Sequence, residues 1–234
     1  MRPLVCFLLL LLPLLGIGQG QKLQFMKESN AFLQDVNGHP LMLRSEYAIE
    51  GSPFFHSEYC TADLKVRNGK SYSGIKVKLN LQENLVIYDA GDGKEMVAVT
   101  PIERILFTDC SDVFKNTVLQ SGFPAVDAQT VNSFYQLLDS GRLQLLKHIG
   151  INYKDTRYYG SNQTTRVFTQ KETYYVYSPE KGMRKMTSKD NGTVIALLGD
   201  HGQELAAYVS SNDLRCKKEE DLLKLFRYYN GLAR

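Results

Sequence analysis

The stretch TADLKVRNGKSYSGIKVKLNLQ, Thr61 to Gln82, decides the fold class of this chain. Ala62, Leu64 and Val66 alternate with Asp63, Lys65 and Arg67; Ile75, Val77, Leu79 and Leu81 alternate with Lys76, Lys78, Asn80 and Gln82. Successive side chains of a strand point to opposite faces, so each run has one apolar face and one wet face. Asn68-Gly69 between the runs is the strongest short hairpin signal, because both residues tolerate the positive φ of a tight turn. The pair is therefore antiparallel and half-buried.

The same period extends outward from the hairpin. LVIYD, EMVAV and IERILF follow, and an antiparallel meander of about five strands between Pro40 and Thr108 is the simplest arrangement. One link, VIYDAGDGKEMVAV (Val86 to Val99), has the vocabulary of a ligand loop. A calcium loop starting at Asp89 needs side-chain oxygens at positions occupied by Gly91 and Gly93. A phosphate loop needs glycine where Tyr88 stands and Ser or Thr where Glu95 stands. The stretch is instead expected to be a hairpin turning at Asp92-Gly93, with Val86, Ile87, Val97 and Val99 on buried faces.

Beyond Cys110 the pattern changes. Residues 111–127 are rich in turn formers and read as a connection. Asp127 then caps an expected helix with Val131, Phe134, Tyr135 and Leu138 on one face and Gly141 as its stop. LQLLKHIGI, TRVFTQ, TYYVYS and MRKMT read as short strands. Three helices close the chain: one capped by Ser188 and ended by Gly199, one with an Asp200/Gln203 capping box, and KKEEDLLKLFRYYNGL with three acids in its first turn and an Asn230-Gly231 stop. The fold class is α+β: an N-terminal antiparallel β-meander followed by a mixed segment with short strands and three to four short helices. The expected organisation is a leader at 1–20, a β-rich region at 21–110, a connection at 111–127, and an α+β region at 128–234 packed on the first.

The leader follows from Arg2, the apolar run from Leu4 to Leu15 and the small-residue tail GIGQG, which together read as a secretory signal peptide cleaved near Gln19 or Gln21. The run is short of the roughly 20 residues a membrane-spanning helix needs, so no span is expected in the mature chain. Cys6 does not follow a small-residue lipobox, which argues against a lipid anchor. Removing residues 1–20 lowers Lys+Arg from 28 to 27 against 25 acids, a balance that excludes nucleic acid as an obvious partner.

Chemical motifs are sparse. Cys60, Cys110 and Cys216 survive cleavage, allowing three pairings; Cys60 with Cys110 is favoured because they bracket the strand-rich segment, and three unpaired cysteines are the alternative. His56 lies four residues before Cys60, the spacing of a weakly supported thiol–imidazole hydrolase pair. His39, His56, His148 and His201 form no metal-binding pattern, no cofactor motif occurs, and His148 reads as a half-exposed strand position. Asn162 and Asn191 head glycosylation sequons. Among the tyrosine doublets, Tyr158, Tyr159, Tyr174 and Tyr175 are weak candidates for a binding surface, since a tyrosine ring is apolar and its hydroxyl tolerates water; covering core margins is the simpler role.

GSPFF, VRNGKSYSGIKVKLNLQENLVIYD, PIERILF and CKKEEDLLKLFRYYN together resemble uncharacterised exported proteins of Bacteroidetes-type Gram-negative bacteria. The resemblance implies a periplasmic or extracellular location and carries no activity or site residues. The expected function is that of a non-catalytic binding or interaction module whose partner is an envelope protein or ligand. A small carrier of an apolar or lipid-like ligand, and a Cys/His hydrolase, are the alternatives.

Overall fold

The Asn68-Gly69 turn joins two strands in the computed structural model, which describes residues 47–91, 93–111, 114–157, 159 and 163–232. The leader and the Asn162 sequon lie outside them. In chain order the strands are β1 (Tyr47–Glu50), β2 (Cys60–Val66), β3 (Ser71–Asn80), β4 (Leu85–Asp89), β5 (Glu95–Val97), β6 (Ile102–Asp109), β7 (Val118–Gln120), β8 (Tyr135–Asp139), β9 (Gln144–Arg157), β10 (Thr164–Ser178) and β11 (Gly182–Lys185). Helices α1 (Asn191–Leu198), α2 (Gly202–Ser211) and α3 (Glu219–Leu232) follow. Among the described residues no helix is long and apolar enough to cross a membrane.

All eleven strands belong to one sheet, ordered β1-β10-β9-β8-β7-β6-β2-β3-β4-β5, with β11 also on β10. The order departs from a meander. β6 pairs with β2 instead of adding beyond β5, and β1 runs parallel to β10. Residues 111–127 are more than a connection, because β7 within them carries the sheet across to β8.

The expected helix after Asp127 is a strand. Tyr135, the first residue of β8, is fully buried, and Phe134 just before it is 5 % exposed; the two pack into different cores. A strand covered on both faces loses polar/apolar alternation, and its apolar residues then mimic helical spacing. Asp127 sits at positive φ beside an isolated Val126–Gln129 bridge, turning the chain rather than capping it.

Paired residues share a face, so the row Leu64–Ile105–Leu119–Gln136–Lys147–Tyr174 crosses six strands on one side. At the Tyr174 end the three helices cover this face, with Leu145, Val176, Leu198, Leu205 and Phe226 in their shared core. At the Leu64 end the sheet curls over its own core of Ala62, Val77, Leu79, Ile105 and Phe107, joined by Ile149 and Ile151 of β9. The curl brings the β3–β4 turn against the start of β8, where the Phe134 amide donates to Asn84 Oδ1 at 3.4 Å.

The helix boundaries differ from expectation where tertiary partners intervene. Asp190, not Ser188, caps α1, accepting from the Thr193 amide at 2.9 Å. Asp200 caps nothing; it accepts from Tyr229 Oη at 2.6 Å and from Arg142 at 2.8 Å, while His201 enters α2 at positive φ. α3 runs through Asn230-Gly231 because the Asn230 amide is fully used: it donates to Asp139 at 2.7 Å and to the Leu143 carbonyl at 2.9 Å, and accepts from the Leu143 amide at 3.1 Å. A Cβ on Gly141 would stand 2.4 Å from Asn230 Cγ, so glycine is required there by close approach. Replacing Asn230 with alanine removes three hydrogen bonds between α3 and the β8–β9 turn, with an expected loss of about 2–3 kcal/mol in urea unfolding.

Candidate functional site

Among the described residues the sheet's apolar face runs out of cover beside β5. Along the row Cys60–Val77–Tyr88–Met96, set by the registers of β2, β3, β4 and β5, exposure rises from 2 % and 1 % to half-buried and then 50 %. The inner residues belong to the core and the outer ones face an open groove of about 490 Å³. Leu64, Val66 and Ile102 form its floor, while Tyr72, Val97 and Val99, themselves 48 %, 45 % and 96 % exposed, line it. The sequence places Val97 and Val99 on buried faces; Val97 instead ends β5 and Val99 follows it, with no further strand to pack on them among the described residues. Tyr88 Oη donates to Met96 Sδ at 3.6 Å, holding the two rim side chains together.

The polar lining residues are Asn68, Lys70 and Thr100, with the hydroxyls of Tyr72 and Tyr88. Asn68 and Lys70, in and beside the β2–β3 turn, stand on the rim, and the Asn68 side chain accepts from the Lys70 amide at 3.1 Å. The Lys70 side chain is exposed, with no ion pair among the described residues. The groove is thus an apolar trough with one cation at its mouth, within the volume range of small-molecule sites. No nucleophile–base pair occurs among its described lining residues.

The other sequence candidates do not converge here. Cys60 and Cys110 form a disulfide across β2 and the end of β6, and the buried Cys216 thiol is free, pushed up to about 11 by burial and by the charges of Asp221 and Asp190. Sγ of both bonded cysteines and His56 lie within 4.8 Å of one another, but the disulfide removes both thiolates. His56 Nδ1 accepts from the Glu58 amide at 3.1 Å and its ring lies against Phe114. The thiol–imidazole pair therefore has no nucleophile, and the cluster has no charged sulfur for a metal.

Tyr174 and Tyr175 do not make a surface. Tyr158 lies outside the described residues and Tyr159 is fully exposed. Tyr174 and Tyr175 are 6 % and 1 % exposed, because adjacent strand residues point to opposite faces and both faces of β10 are covered. Tyr174 Oη donates to Glu219 at 2.6 Å, beside a Lys147–Glu219 ion pair of 2.8 Å, tying α3 to the sheet. Tyr175 Oη donates to Asp127 at 2.9 Å. Burial and the acceptor carboxylate push both phenols up.

No single residue type marks the groove in sequence; the signal is an alternating strand whose apolar positions continue to the sheet edge. No protein-family profile, characterised protein or solved structure matches the chain.

Proposed function

We propose that this chain is an exported binding protein of the bacterial envelope that acts without chemistry, holding the acyl chain of an anionic amphiphile in the groove beside β5. The carrying observation is the loss of cover along Cys60–Val77–Tyr88–Met96: an apolar face continuous with the core ends in water. A contiguous exposed apolar patch is costly unless something occupies it. Lys70 at the rim supplies the charge that would orient a carboxylate or phosphate head outward. The leader at Leu4–Leu15 and the resemblance to exported Bacteroidetes-type proteins support the location.

Titration with a fluorescent conjugated fatty acid tests this reading. Saturable binding at one site is expected. Met96→Asp, at a half-exposed position, is expected to abolish it, and Lys70→Glu to weaken it by about tenfold, equivalent to one charge contact. Unchanged binding in Met96→Asp would contradict the assignment.

A second reading rests on β5 being terminal in the strand order, which leaves its outer edge unpaired among the described residues. An extended segment of an envelope protein could add there as a further strand, its side chains entering the same trough. Absence of fatty-acid binding together with protection of β5 amides by such a peptide would favour it.

A further inference from the structure

A second cavity, of about 350 Å³, opens on the face of β9 and β10 away from the helices. The register places His148 opposite Thr173 and Gly150 opposite Lys171, with Asn152 one step further along the same face. The β3–β4 turn contributes Asn84, and the loop before β8 contributes Asp127, Gln129 and Ser133. We propose that this cavity binds a small polyhydroxylated ligand, of monosaccharide size, through Asp127, Gln129, His148, Asn152 and Lys171.

The argument rests on polar groups whose hydrogen-bonding capacity the protein leaves unused. Gln129 Oε1 is buried with no partner among the described residues; behind the cavity wall the ring of the fully buried Tyr135 lies against His148 and Tyr175 at centroid distances of 5.4 and 5.6 Å. Buried polar atoms are satisfied in the great majority of cases, so the orphaned Gln129 Oε1 on the cavity wall points to a missing partner. The His148 ring nitrogens have no hydrogen bond among the described residues, and Lys171 has no ion pair among them. Asp127 is held in place by Tyr175 and by Lys185 at 3.0 Å, which fixes its carboxylate at the cavity wall.

The mix of partners selects the ligand class. Gln129 Oε1 and Asp127 only accept; Lys171 only donates. A bare anion would meet those acceptor oxygens, and a bare cation would meet Lys171 and Lys185. A hydroxyl both donates and accepts, so a ring of hydroxyls satisfies the whole set at once. The two lysines outnumber the single acid, so a carboxylate on the ligand is tolerated on the Lys171 side. Gly150 keeps the floor open, since a Cβ there would lie 3.6 Å from His148 Cε1 and take space from the cavity.

Saturation-transfer NMR and calorimetry on the mature chain, with D-glucose, D-galactose, D-xylose and D-glucuronate as probes, test the proposal. At least one sugar is expected to bind with one-to-one stoichiometry. The exposed-site double variant Asn152→Ala/Lys171→Ala is expected to weaken it by about tenfold or more. Met96→Asp should leave sugar binding unchanged, which separates this cavity from the apolar groove. No binding by any of the four sugars, or affinity unchanged in the double variant, would overturn the proposal.

Discussion

Replacing Cys60 and Cys110 together with alanine is expected to lower the unfolding free energy by about 4 kcal/mol. The bond closes a sequence separation of 50 residues, and on the chain-entropy account a loop of that length raises the entropy lost by the unfolded chain to this extent. Alanine is chosen because Cys60 is 2 % exposed inside the apolar core, where a serine hydroxyl would add its own desolvation cost. Folded-state contacts nearby should survive: Phe55 stacks on Phe107 at 5.5 Å and meets Phe114 edge-on at 4.9 Å. The midpoint of urea unfolding should therefore fall while native spectra stay the same. A loss below about 1 kcal/mol would mean that the unfolded chain gains little freedom when the loop is opened.

Lys147→Met is expected to cost about 2–3 kcal/mol at pH 7 and to flatten the acid side of the stability profile. Lys147 is 8 % exposed, with Nζ 2.8 Å from Glu219 and 3.7 Å from Glu172. Removing the cation leaves Glu219 facing the sheet with Tyr174 as its remaining side-chain hydrogen-bond donor among the described residues. The cost falls below that of a fully buried pair because the Glu219 side chain keeps a third of its exposure. Burial alone would raise the Glu219 carboxyl, but hydrogen bonds from Lys147 and Tyr174 outweigh it and hold the group below the usual range. A depressed folded pKa gives stability that is present above the unfolded value, about 4.3, and is lost as pH falls through the folded one. The wild type should thus weaken as the pH drops below about 4.5, and Lys147→Met should show less of that decline. Parallel profiles for the two proteins would contradict this role for the pair.

The parts of the fold legible in sequence are those set by neighbours along the chain. The β2–β3 hairpin could be read because one face is wet, so Lys76 and Lys78 interrupt Ile75, Val77 and Leu79. The start of β8 could not, because Tyr135 and the preceding Phe134 are both buried, in different cores, and alternation disappears. The pairings β6 to β2 and β1 to β10 join segments far apart in sequence and leave no local mark.

The candidate sites follow the same division. Val97 and Val99 are apolar in an alternating run, which predicts burial; the strand order shows that β5 is the last strand among the described residues. Asp127, His148 and Lys171 lie in three separate segments that the register of β9 with β10 and the turn at Asp127 bring to one cavity. Their chemistry is visible in the sequence, but their convergence is tertiary.

Methyl and amide chemical-shift mapping on residues 21–234, titrated with a fatty acid, tests the central claim most directly. Perturbations confined to Ile75, Tyr88, Met96, Val97 and Val99, with Lys70 responding at the rim, are the expected result. Perturbations centred on the helices or on the cavity at His148, or none at saturating ligand, would contradict the assignment of the groove as the binding site.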